Sequence, residues 1–198
     1  MVKPSHGAAF WGSLQAKVTV TLFIATSLDG KIAGPDDDVS WLFTDADYGY
    51  SAFYAEVDAL IMGRGTYKVV NTFGEWRYAG RRTYVVSRSE PPEITTPDTT
   101  AYCGSLPELI ERLEEEGREK VWLVGGGELV TSFLQQGLID ELVVSLHPVL
   151  LGRGVPLFPA SFPRAILDLK SVKPYESGLV QLRYAVMADD TDEEEDED

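Results

Sequence analysis

Two short stretches constrain the fold of this chain more than any others. Ile61-Met62-Gly63-Arg64-Gly65-Thr66-Tyr67 and Val121-Trp122-Leu123-Val124-Gly125-Gly126-Gly127-Glu128-Leu129 each carry an apolar run into glycines and then into helix-forming residues. A strand that turns at glycine into a helix is the repeating joint of an α/β sheet, whose strands are mostly parallel and covered on both faces.

The surrounding pattern agrees. Val18, Val20, Leu22 and Ile24 alternate with Thr19, Thr21 and Phe23 and predict a strand, followed by an Asp29-Gly30 turn and a loop at Pro35 and Asp36 to Asp38. Thr44-Asp45-Ala46-Asp47 has the form of a capping box and predicts a helix to about Val57. Further strands are predicted at 58–63, 83–87, 99–103, 121–124 and 142–151, with a loop at 73–82 and a proline-rich linker at 90–98. Helices are predicted from Arg64, from the capping box Ser105-Leu106-Pro107-Glu108 to Gly117, and from Gly127 to Gln136. Strands at 167–173 and 179–187, split by Ser177-Gly178, predict an antiparallel C-terminal hairpin. The expectation is one α/β domain, a mostly parallel sheet with an antiparallel edge.

Charge and cysteine usage exclude several classes. Nine of the 32 acids fall in the last ten residues, so the rest of the chain carries 23 acids against 17 bases. The body is therefore only mildly acidic, which argues against binding nucleic acid through its phosphates. A block of like charge repels itself, so 189–198 reads as a disordered tail. Residues 1–16 lack periodicity and read as a loose arm, leaving 17–188 as the domain. One cysteine, Cys103, cannot build a disulfide framework, and with only His6 and His147 no metal site is expected. No apolar run is long enough to span a membrane and no leader is evident, so a cytoplasmic location is expected.

Three strand ends carry groups suited to phosphate. Gly125-Gly126-Gly127 lets a ligand approach the backbone at a helix start, although a tight turn alone would also use glycines. Arg64 and Thr66 add a guanidinium and a hydroxyl; a surface arginine and an N-cap threonine would look the same. Ser87-Arg88-Ser89 ends a third strand. Ligands of open α/β sheets gather at such carboxyl ends, and two arginines suit a dinucleotide with an additional 2′-phosphate.

Taken in order, four segments resemble the dihydrofolate-reductase-like superfamily, and within it the reductase domain of bacterial riboflavin biosynthesis. They are Ser27-Leu28-Asp29-Gly30-Lys31-Ile32-Ala33, Met62-Gly63-Arg64-Gly65-Thr66, Val124-Gly125-Gly126-Gly127, and His147 to Phe158. Ser40-Trp41-Leu42-Phe43 is similar to stand-alone members, and no zinc deaminase motif is present. The resemblance implies a three-layer fold, a homodimer and NADPH. It implies that Gly63, Arg64, Gly65 and Thr66 hold the pyrophosphate and adenine-ribose side, and that Ser87 and Arg88 meet the 2′-phosphate. It further implies that Val124, Gly125, Gly126, Gly127, Glu128 and Leu129 take the phosphates near the nicotinamide, with Ala33 and Trp41 beside its ring. An acid near the start of the helix after Trp41 would serve the substrate, which points to Asp45 or Asp47. Asp47 could equally be a helix cap.

Two departures from the riboflavin-type pattern are visible. Leu123-Val124 stands where a glutamate usually precedes the glycines, and Val69-Val70 where an aspartate usually follows the threonine. The expected function is an NADPH-dependent reductase, by resemblance of 5-amino-6-(5-phosphoribosylamino)uracil. The alternatives are a pterin- or folate-type reductase and a nucleotide-binding scaffold without turnover. Among the remaining candidates, Asp29 reads as a turn former, Lys31 as solvated, His147 as structural, and Trp76, Arg77, Tyr78, Arg81 and Arg82 as a substrate lid or a solvated loop.

Overall fold

Strand and helix alternate through the first two thirds of the chain, and the remainder folds back as a hairpin. In the computed structural model, which describes residues 17–187, the elements are β1 (Thr19–Ser27), β2 (Lys31–Ala33), a 3-10 turn (Pro35–Asp37), α1 (Tyr50–Glu56), β3 (Ala59–Gly63), α2 (Arg64–Asn71), β4 (Arg82–Val86) and β5 (Thr99–Tyr102). They continue with α3 (Leu106–Glu115), β6 (Lys120–Gly125), α4 (Gly127–Gln135), β7 (Glu141–His147), β8 (Val155–Pro156), β9 (Ile166–Pro174) and β10 (Val180–Met187). The arm at 1–16 and the tail at 189–198 lie outside the described residues.

Eight strands form one sheet in the order β5-β4-β3-β6-β1-β7-β10-β9. The strands from β5 to β7 are parallel to one another, β10 is antiparallel to β7, and β9 is antiparallel to β10. Side chains alternate across this sheet and divide the core in two. Val20, Leu22 and Ile24 of β1 meet Leu109, Leu113, Val130 and Phe133 of α3 and α4 on one face. Phe23 and Trp122 meet Phe53, Tyr54 and Tyr67 of α1 and α2 on the other. Each such side chain, fully buried, contributes about 1.5–3 kcal/mol. The architecture is the expected three-layer α/β sandwich.

Four expectations need correction. No helix begins at Thr44: Tyr48 (φ 51) and Gly49 (φ 80) are both left-handed, which no helix can pass through, so α1 starts at Tyr50. The strand expected to run to 151 stops at His147, because Pro148 cannot donate to the ladder. The segment 73–82 is neither lid nor solvated loop in its aromatic part. Tyr78 is buried and Trp76 packs edge-on against Tyr67 and Tyr78. Finally, β2 and β8, which the sequence pattern does not mark as strands, pair as a separate two-stranded sheet.

That small sheet is tightly joined. The Leu157 N–H donates to the Gly30 carbonyl at 2.9 Å. Gly154 passes so close beneath Ala33 that a Cβ built on it would lie 2.1 Å from the Ala33 carbonyl oxygen. Only glycine fits there, and its φ of 129° also excludes most side chains. No helix among the described residues is long and apolar enough to cross a membrane.

Candidate functional site

The connectivity locates a site before any side chain is considered. The chain leaves β3 through α2 on one face and moves outward to β4. It leaves β6 through α4 on the opposite face and passes β1 to reach β7. β3 and β6 are neighbours, so their carboxyl ends are pulled apart and a crevice opens between them. Both strands end in glycine there, and a Cβ on Gly63 would lie 3.7 Å from the Gly125 carbonyl oxygen.

Two cavities meet in that crevice. One, of about 770 Å³, is lined by Gly63, Arg64, Gly65, Thr66, Ser87, Arg88, Gly126, Gly127, Glu128 and Leu129. The other, of about 460 Å³, is lined by Ile24, Ile32, Ala33, Val39, Leu42, Tyr50, Val69, Trp122 and Val124, with Asp37 among them. Gly65, Thr66, Gly126 and Val155 belong to both, which makes one continuous cleft. The structure thus brings together every residue expected for the cofactor except Trp41 and Gly125, which line neither part. Trp41 sits instead 5.2 Å edge-on from the His147 ring, and its indole N–H donates to the Asp38 carbonyl.

The first cavity is a phosphate-type environment. The helix starts at α2 and α4 have glycine at the N-cap, Gly63 and Gly126, and neither is capped by a side chain. The start of α3 differs: Ser105 and Glu108 complete a reciprocal capping box there. First-turn N–H groups have no acceptor within their own helix and carry the positive end of its dipole. At α2 and α4 no side chain caps these donors, although the Leu129 N–H of α4 bonds back to the Gly126 carbonyl at 3.0 Å. Gly65 lines the cleft with nothing within 4 Å of a built Cβ, so a side chain there would fill ligand space. Gly127 is constrained from the other side, since its Cβ would lie 2.5 Å from the Pro156 carbonyl oxygen and 2.9 Å from that of Leu157.

Arg88 spans this cavity to Glu128, with N–H to carboxylate at 2.6 Å, and both side chains are at least three-quarters exposed. An ion pair so open to water contributes about 1 kcal/mol or less, so an anion could take the guanidinium from it. Arg64 has no carboxylate partner among the described residues.

The two expected acids are elsewhere. Asp45 accepts from the Tyr48 hydroxyl at 2.6 Å, and Asp47 accepts from the Ser51 hydroxyl and N–H at 2.6 and 3.0 Å. Neither lines the cleft. The Ser51 hydroxyl, with its N–H, holds the Asp47 carboxyl below the usual range. That stabilises the carboxylate, the opposite of what a proton donor needs. Asp29 does more than form a turn. It accepts from Ser27 Oγ at 2.6 Å and from the Leu151 and Gly152 N–H groups at 3.0 and 2.8 Å, tying the end of β1 to the loop after β7. The Ser27 hydroxyl, then the loop N–H groups, lower its pKa to about 2.

Asp37 and Tyr50 are lining residues that no sequence motif marks, and Val69 lines the cleft at the position where the riboflavin-type pattern usually has an aspartate. Asp37 has φ 59, a left-handed conformation that aspartate tolerates better than most residues. Burial, then the neighbouring Tyr54, raises the Tyr50 pKa, so its phenol keeps its proton. His147 is buried between Trp41 and Phe43, and burial lowers its pKa.

Known proteins share this framework. The family model described as the RibD C-terminal domain matches residues 18–181. The uncharacterized protein YwjB of Bacillus subtilis (strain 168) is 36% identical over 167 residues, 82% of this chain and 95% of that protein. The riboflavin biosynthesis protein RibD of Corynebacterium ammoniagenes is 28% identical over 69% of this chain, which spans 44% of that protein. Among solved structures, a Shewanella sp. PV-4 protein ascribed to riboflavin biosynthesis superposes with a TM-score of 0.79 at 30% identity, covering 86% of this chain and all of that one. Dihydrofolate reductase of Enterococcus faecalis shares the fold with a TM-score of 0.66 at 13% identity, covering 87% of this chain and 99% of that one. With its cleft, its glycine joints and its sheet order accounted for, the chain belongs to the RibD C-terminal domain family, a family of reductase domains with the dihydrofolate-reductase-like fold.

Proposed function

We propose that the chain is an NADPH-dependent reductase of a small heterocyclic compound, working in the cytoplasm as a homodimer. One observation carries this reading: two uncapped helix starts and two arginines share one end of a cleft whose other end is apolar. A dinucleotide has the same polarity, with phosphates at one end and a flat ring at the other. Along the cleft its pyrophosphate would meet the first-turn N–H groups of α2 and α4, and its 2′-phosphate would meet Arg88 and Arg64. The bare face of Gly65 fits a ligand at that position.

When bound, the dihydronicotinamide supplies a hydride. The chain's part is to orient and to dry the site. Ile32, Ala33 and Val124 form an apolar seat for the ring, and Leu42, Val69 and Trp122 exclude water from the space beside it.

The homodimer rests on the C-terminal hairpin. All nine residues of β9 are exposed, including Ile166, Leu167, Leu169 and Val172, and the strand is the free edge of the sheet. A second copy of the same strand, related by a twofold axis, would pair that edge and cover those side chains. Light scattering should give twice the chain mass; a monomer at working concentration overturns this part alone.

The test of the main reading is a titration with NADPH and with NADH, followed by tryptophan fluorescence. Micromolar NADPH binding, with NADH at least about tenfold weaker, is expected from loss of the charge-assisted phosphate contacts. Binding of neither nucleotide overturns it.

A further inference from the structure

The phosphate end of the cleft contains one group that does not suit phosphate. Among the described residues that line it, Arg64 and Arg88 are the cations and Glu128 is the one carboxylate. Glu128 sits in the first turn of α4, beside the N–H groups that would meet a pyrophosphate. A negative charge there stabilises the helix but repels such a ligand. Nor is the acid needed as a clamp. Its bond to Arg88, at 2.6 Å, joins two side chains that are both largely in water, so it adds little to stability.

The geometry of the pair gives the acid another use. The two heads are one hydrogen bond apart, so a ligand atom placed against the guanidinium also lies close to the carboxylate. Their hydrogen-bonding abilities are opposite. A guanidinium only donates and suits a phosphate, whereas a carboxylate only accepts and suits a hydroxyl. NADPH and NADH differ in this one respect: the adenosine ribose carries a 2′-phosphate in the first and a 2′-hydroxyl in the second. Dinucleotide sites of α/β sheets use an acid for the hydroxyl or an arginine for the phosphate. This cleft holds both, bonded to each other.

We infer that Arg88 and Glu128 form a two-way reader of the ribose 2′ position, Arg88 taking the phosphate of NADPH and Glu128 accepting from the hydroxyl of NADH, so that NADH is a second and weaker ligand of the same cleft. This deepens the nucleotide-binding part of the reductase reading and rests on it. Whichever nucleotide enters breaks the pair and leaves one member to water. Both members are already hydrated, so the exchange costs little. NADPH remains the better ligand because its contact joins opposite charges, whereas the hydroxyl is neutral.

The test is calorimetric titration of the full chain with NADPH, NADH, ADP and 2′-deoxy-ADP. The last two differ only in the hydroxyl in question and need no nicotinamide. ADP should bind the unaltered chain about fivefold tighter than 2′-deoxy-ADP, as for a charge-assisted contact open to water, and in Glu128→Gln that gap should shrink to about twofold or less. The same variant should weaken NADH about fivefold while tightening NADPH about threefold, moving the two apart. Arg88→Ala leaves the acid alone in the cleft and should bring NADPH to about the affinity of NADH. A preference for ADP over 2′-deoxy-ADP that survives Glu128→Gln overturns the inference, as does NADH affinity that is unchanged or improved in that variant. So does the absence of NADH binding at millimolar concentration in a chain that binds NADPH. Failure of NADPH itself to bind overturns the nucleotide reading, and this inference with it.

Discussion

The two ends of the cleft are built from the same joint and reach opposite chemistries. At the phosphate end, backbone does the work: α2 and α4 begin at Gly63 and Gly126 without side-chain caps, and the two arginines stand in water. At the ring end, side chains do the work: Trp122, Tyr50, Val69 and Leu42 close a space with a single acid at its mouth. The difference follows from position. Helix starts are confined to strand ends, whereas the ring end lies deeper, over β1 and β6, where side chains of a buried sheet project. Under the proposed function, the first end meets the phosphates of a nucleotide and the second the ring of the substrate, so the second is the end that should vary between reductases of different substrates.

The largest blow to that comparison comes from the backbone of the phosphate end. Gly127→Ala drives a methyl into two carbonyl oxygens and should lower stability by about 3 kcal/mol or more, read as a shift of the urea midpoint. Gly65→Ala should behave in the opposite way. Its Cβ meets nothing, so stability should rise by about 0.5–1 kcal/mol while NADPH binding weakens. Equal effects of the two alanines on stability would mean that the cleft is not shaped as described.

Smaller changes probe charge. Arg88→Ala should weaken NADPH about tenfold and leave NADH nearly unchanged in parallel titrations. Glu128→Gln releases Arg88 from its partner and should tighten NADPH about threefold. The smallest effect belongs to the ring end. His147 supports the turn from Trp41 to Phe43 that presents Leu42 to the cleft. Burial lowers its pKa, so below pH 6.5 the unfolded chain takes up a proton that the folded chain refuses. Stability should therefore fall as pH drops from 6.5 towards the folded-state pKa, and be indifferent to this group above 6.5. In His147→Phe that slope should vanish from urea titrations run across the window.

The phosphate end was largely legible in the sequence, and the ring end was not. Gly63, Arg64, Gly126 and Arg88 announce themselves because a strand, a glycine and a helix are contiguous, so the local pattern already describes the site. Trp122 was visible only as a strand residue, and nothing local distinguishes its cavity face from a core face. Asp37 joins the cleft through a left-handed turn, and Val69 through a helix whose rotation is set by packing on β3. The same limit hid β2 and β8, since strands of three and two residues have no periodicity. Trp76 and Tyr78 misled for the reverse reason: aromatic residues among arginines suggest a mobile flap, yet Tyr78 is core.

The pairing of β2 with β8 bears on how anything enters. Ile32 and Ala33 form one lip of the opening and Val155 the other, and the two lips are hydrogen-bonded and pressed together at Gly154. Neither can swing aside by itself. Any movement that admits a ring must carry both as one rigid door, anchored to the frame by the Asp29 tether on one side and by the close approach of Pro156 and Leu157 to Gly127 at the start of α4 on the other.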